Sequence, residues 1–156
     1  MPAKPRIYIE TSVVSYLTAK PSRDDYTRLC QQRTAEWWQT GLPQYEPVIT
    51  QIVRDEAARG DPQAAAKRLT ALEGIALLDI SDDIMTLAAE LIVQGGIPEK
   101  AKDDAIHIAA SAVHRILYMV RWNFRHIANA ATWERLKSIC KQCACPFPEI
   151  FPPIYL

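Results

Sequence analysis

Short apolar runs separated by helix-like stretches set the strongest limit on what this chain can fold into. Arg6 to Glu10 reads as a first strand, with Ile7 and Ile9 on one face and Tyr8 and Glu10 on the other. Pro47 to Thr50, Ile75 to Ile80 and Leu117 to Val120 read as further strands. Glu149 to Phe151 reads as an edge strand inside a tail, Pro146 to Leu156, that holds four prolines. Between these runs the signals are helical. Thr11 or Ser12 suits the cap of a short helix. Ser22, Asp24 and Asp25 start a second helix that runs to about Thr40 and stops at Gly41 and Pro43. After the Pro47 to Thr50 strand a helix runs to Gly60, and Asp61-Pro62 restarts one that reaches about Glu73. Ser81 caps a helix ending at Gly95-Gly96, the Asp104 helix runs to about His114, and a last one spans about Ile127 to Lys141. Strands alternating with helices imply an α/β fold with a parallel or mostly parallel sheet covered on both faces.

The length, 156 residues, fits one domain over 1–156, its core at about 6–130 and a helix and tail at 131–156. The formal net charge is zero, which argues against a broad nucleic-acid-binding surface but leaves room for a small basic groove. No apolar run reaches the length of a membrane span, and Met1 to Arg6 has no secretory apolar stretch, so a cytoplasmic protein is expected. Cys140-x-x-Cys143 lacks the second pair a zinc site needs, so Cys30, Cys140, Cys143 and Cys145 are expected as thiols.

Ligand crevices in such folds lie beyond the carboxyl ends of the strands. Glu10 ends the first strand, and Asn123 follows the run Leu117 to Val120. Glu56 shares a helical face with Ile52 and Val53, so it belongs to the apolar stripe, while its neighbour Asp55 is expected to pair with Arg59. Asp104 precedes Ile108 and Ala112 at helical spacing, so it continues a buried stripe, and it also suits the positive end of the helix dipole. Asp103 and His107 are rotated away and are expected to be wetter. A carboxylate beside apolar surface is costly unless paired or metal-bound. Oxygen ligands delivered from separate elements suit a hard divalent cation. His107, His114 and His126 read as solvent-edge or capping residues. The adjacent Trp37 and Trp38 cannot both face the middle of one core stripe, which points to a partner surface.

Four motifs in order carry a family resemblance: Tyr8-Ile9-Glu10-Thr11-Ser12-Val13, Glu56-x-x-Arg59-Gly60, Asp104-Ala105-x-x-Ile108-Ala109-Ala110, and Val120-x-x-Asn123 followed by Phe124-Arg125-His126-Ile127. Over about residues 6 to 130 the chain resembles PIN-domain proteins, close to the ribonuclease toxins of VapC-type toxin–antitoxin pairs. The resemblance implies a three-layer α/β/α sandwich, often dimeric, that cleaves RNA with Mg²⁺ or Mn²⁺. Glu10, Glu56, Asp104 and Asn123 become the catalytic set, with Glu10, Glu56 and Asp104 on the metal. Thr11, Ser12, Arg121, Lys100 and Lys102 become candidates for the substrate phosphate. The expected partners are RNA, a cognate antitoxin and a second copy of the chain. Two positions depart from the family pattern: Glu10 stands where Asp is usual, and Arg121 where Thr or Ser is usual. Arg121 is expected just past a strand end, offsetting repulsion among the acids or gripping a phosphate. The alternatives are a weak or inactive nucleic-acid-binding or partner-binding module on the same fold, and a hydrolase of small phosphate esters.

Overall fold

A computed structural model describes residues 3–122 and 130–154. Asn123 and the Phe124 to Ile127 stretch of the fourth motif lie outside the described residues. In chain order the elements are β1 (Arg6–Ile9), α1 (Thr11–Thr18), α2 (Asp25–Thr40), β2 (Glu46–Thr50), α3 (Gln51–Ala57), α4 (Pro62–Ala71), β3 (Ala76–Leu78), α5 (Asp82–Val93), α6 (Lys102–Val113), β4 (Tyr118–Val120), α7 (Ala130–Gln142) and β5 (Glu149–Phe151).

The five strands form one sheet in the order β3-β2-β1-β4-β5, and every pairing is parallel. The chain steps outward from β1 to β2 to β3, then returns to the other side of β1 with β4 and steps outward again to β5. Right-handed crossovers therefore place α1 to α4 on one face and α5 to α7 on the other. The packing agrees: α1 meets α2, α3 and α4, while α5 meets α6 and α7. This is the expected three-layer α/β/α arrangement, with a sheet that is parallel throughout.

Central strands of such a sheet are covered on both faces. Ile7, Tyr8 and Ile9 on β1 and Met119 and Val120 on β4 are all fully buried. The expected alternation along the first strand therefore separates the two faces but not wet from dry. Asp24, Asp61 and Ser81 cap α2, α4 and α5 through their side chains, as their sequence contexts indicate. The cap of α1 differs. Glu10, and not Thr11 or Ser12, holds that position and accepts the Ser12 N–H. Gly60 follows the Glu56 helix at φ +85°, a backbone conformation that a side chain would strain. No helix among the described residues is long and apolar enough to cross a membrane.

Candidate functional site

The sheet order reverses between β1 and β4, and the crevice expected at such a switch point opens at their carboxyl ends. The residue after β1 is Glu10 and the residue after β4 is Arg121, so the topology alone makes them neighbours. Glu10 N–H donates to the Val120 carbonyl at 3.0 Å, and Arg121 N–H donates to the Phe151 carbonyl at 3.1 Å. Helix α3 begins where β2 ends and carries Glu56 one and a half turns on. Helix α6 meets α3, His107 bonding Glu56, and carries Asp104 near its start. Glu10, Glu56, Asp104 and Arg121 thus converge from four segments.

Their surroundings are dry. Glu10 is 5% exposed and Arg121 1%. The Glu56 and Asp104 side chains retain 21% and 14%. Arg121 lies between two of the acids: Nη2 donates to Asp104 Oδ1 at 3.1 Å, and Nε is 3.9 Å from Glu10 Oε2. Among the described residues its Nε and Nη1 have no hydrogen-bond partner. Glu10 Oε2 also accepts from the Ser12 hydroxyl, which in turn accepts the Trp122 N–H at 2.8 Å. Trp122 is pinned by stacking on Tyr16 and by an indole N–H bond of 2.7 Å to the Thr34 hydroxyl.

Glu56 belongs to a second network. Its Oε1 accepts from the Thr11 hydroxyl at 2.7 Å and from His107 Nε2 at 2.6 Å. His107 Nδ1 meets the Tyr8 hydroxyl at 2.6 Å, and that hydroxyl meets Thr50 Oγ1 at 2.9 Å. The protons follow from chemistry. Burial raises the Glu56 pKa, but the His107 bond and charge, the Thr11 bond and the Arg59 charge outweigh it and leave it below the ordinary value. A carboxylate only accepts, so His107 Nε2 carries a proton. Burial lowers the His107 pKa, but the Glu56 bond and the charges of Glu10 and Glu56 outweigh it and leave it raised. Burial holds Tyr8 far above its usual range, so it stays a neutral phenol. The hydroxyls of Tyr8 and Thr50 can reverse direction, so the chain of bonds survives whether His107 carries one proton or two.

His107 overturns an expectation. It is fully buried, not at a solvent edge. The reason is that α6 is covered around its whole circumference from Ala105 to Ala112, so rotation about the helix no longer separates wet from dry. Asp103, at 22% side-chain exposure, is wetter than Asp104 at 14%, as expected. Asp55 does not pair with Arg59: it accepts from Gln51 at 2.9 Å, while Arg59 reaches Asp103 at 3.3 Å. His114 caps α6 and bonds the Asp79 carbonyl at 2.8 Å. Lys100 and Lys102 are exposed and, with Arg59, Glu99 and Asp103, line a cleft of about 590 Å³.

One donor atom each from Glu10, Glu56 and His107 lie within 4.8 Å of one another. Both nitrogens of His107 are engaged, so it orients Glu56, as imidazoles beside metal-binding carboxylates commonly do. The two carboxylates suit Mg²⁺ or Mn²⁺ in donor chemistry, and Glu56 Oε2 is the oxygen not taken by Thr11 and His107. Asp104 is not part of that set; it pairs with Arg121 at 3.1 Å. No protein-family model matches the chain, and no curated protein matches it.

Proposed function

We propose that the chain is a divalent-metal-dependent endoribonuclease of the PIN-domain, VapC-like kind, and the toxin of a toxin–antitoxin pair. The observation that carries this reading is the meeting of Glu10 and Glu56 in the crevice at the reversal of the sheet order, with Asp104 joined to Glu10 through Arg121. Bound there, Mg²⁺ or Mn²⁺ would offset charge gathering on a phosphodiester and acidify an attacking water. The chain's own residues prepare that position. Thr11 and His107 hold Glu56 ionised and fix its orientation, and Ser12 fixes the orientation of Glu10 through hydrogen bonds. Thr11 and Ser12 therefore serve the carboxylates directly, whatever their part toward a phosphate. Lys100, Lys102 and Arg59 border the neighbouring cleft and would draw in a phosphate backbone. No covalent nucleophile is required.

The partners expected of such a toxin are an antitoxin and a second copy. Helix α2 offers them a surface: Tyr26 and Leu29 are exposed and Trp38 is half-buried, whereas Trp37 is in the core. The test is cleavage of a labelled single-stranded RNA with Mg²⁺ or Mn²⁺, with EDTA, and by Asp104→Asn. Metal-dependent cutting that the variant loses supports the reading. A second reading, a module that binds without cutting, is favoured by the burial of Arg121 against Glu10 and Asp104. RNA binding that is indifferent to EDTA, with no cleavage in Mn²⁺, would establish that reading instead.

A further inference from the structure

We propose that the acid cluster holds two cation positions that share Glu10, and that the Arg121 guanidinium fills one of them, so that the centre takes a single divalent ion between Glu10 and Glu56. This rests on the metal-dependent reading above and adds to it which position the ion takes and what replaces its fellow.

The geometry separates the two positions. Glu10 and Glu56 bring carboxylate oxygens together on one side. On the other side Glu10 and Asp104 face Arg121, at 3.9 and 3.1 Å. Arg121 is not free to leave. It is 1% exposed, its own N–H is bonded to Phe151, and the next residue is fixed by Ser12, Thr34 and Tyr16. Charge agrees with position. With His107 neutral, three carboxylates and one guanidinium leave two negative charges, which one divalent ion neutralises. A second ion would bring surplus positive charge into a site largely closed to water, where unbalanced charge is costly.

The Nε and Nη1 of Arg121, without a hydrogen-bond partner among the described residues, then acquire a use. Buried guanidinium donors are seldom left unpaired. Nε faces Glu10 Oε2 at 3.9 Å, and a phosphate oxygen entering the crevice would satisfy Nη1 by a single charge-assisted bond. Arg121 thereby holds the substrate oxyanion that the second ion holds in two-metal centres.

Calorimetric titration with Mn²⁺ tests this without reference to activity. The native chain should bind one ion. Arg121→Thr should bind two, the first about tenfold more tightly, the scale on which groups beside metal ligands act. Arg121→Thr with Asp104→Asn should return to one. Electron paramagnetic resonance should show an isolated Mn²⁺ in the native chain and a spin-coupled pair in Arg121→Thr. If that variant does not fold, Arg121→Gln removes the same charge and reads the same way. Two ions in the native chain, or one ion of unchanged affinity after the charge is removed, overturns the proposal. One ion in both forms together with metal-dependent RNA cleavage overturns it and leaves the endoribonuclease reading standing. No ion in either form overturns both.

Discussion

The Tyr8 hydroxyl stands 2.6 Å from Nδ1 of His107, so the middle of the central strand is bonded directly to the helix that carries Asp104. Both residues are fully buried, and their rings meet edge-on at 5.5 Å. Strand, helix and the Glu56 carboxylate are thereby held as one unit.

Tyr8→Phe removes that link at almost constant volume. His107 Nδ1 and the Thr50 hydroxyl each lose a buried partner, and an unsatisfied buried group costs about 1–3 kcal/mol. Urea unfolding should show the variant less stable by about 2–3 kcal/mol. A loss under half a kcal/mol would mean that the bonds contribute little.

The carboxylates should differ in what they tolerate. Glu10→Asp keeps the charge and places a preferred capping residue at the start of α1, so RNA cleavage should persist. Glu10→Gln, Glu56→Gln and Asp104→Asn should each lower the metal-dependent rate by at least about tenfold, since each removes a charge from the cation site or its border. Full activity in Glu10→Gln would remove Glu10 from the ligand set.

Acidity should act on the metal-free protein through His107 and Glu56 in opposite senses. The Glu56 pKa is lowered on folding, so its contribution is present above its ordinary value of 4.5 and is lost as pH falls through the folded value. The His107 pKa is raised, so its contribution is present below its ordinary value of 6.5 and is lost as pH rises through the folded value. The pair therefore stabilises most between about 4.5 and 6.5. Thermal melts in EDTA should show the gap between the native chain and His107→Gln widest in that window. A gap that is flat with pH would show that the pair carries no linked proton.

The cysteines should separate by reactivity. Burial, then the neighbouring Cys145 and Cys143, pushes the Cys140 thiol up to about 12, while Cys143 is exposed. Only the thiolate reacts. Iodoacetamide at pH 8 should label Cys143 and spare Cys140 until the chain is unfolded, as mass spectrometry of the tryptic peptides would read. Prompt labelling of Cys140 would mean that α7 opens readily.

Glu10, Glu56 and Asp104 were legible in the sequence because each is a charge on an apolar stripe, and helical or strand periodicity exposes that conflict. Arg121 was legible from its place after a strand. The strand and helix succession was readable for a similar reason: caps such as Asp24, Asp61 and Ser81 act locally. What could not be read depends on neighbours distant in the chain. His107 looks peripheral by rotation about α6, and only the packing of other elements around that helix makes it a core residue. Its partner Tyr8 lies ninety-nine residues away. Asp55 fails likewise, since a spacing of four allows a pair with Arg59 but does not choose between Gln51 and Asp103 as the partners. The burial of both faces of β1 follows from its place at the centre of the sheet, which no local pattern encodes.

The bond from Arg121 to the Phe151 carbonyl has a consequence for the order in which the molecule matures. A ribosome releases Glu10, Glu56 and Asp104 long before β5. Until β5 docks against β4, the backbone of Arg121 lacks one of its anchors. The pocket is thus finished by a segment made after all three of its acids, and a nascent chain presents those acids before it presents a completed centre.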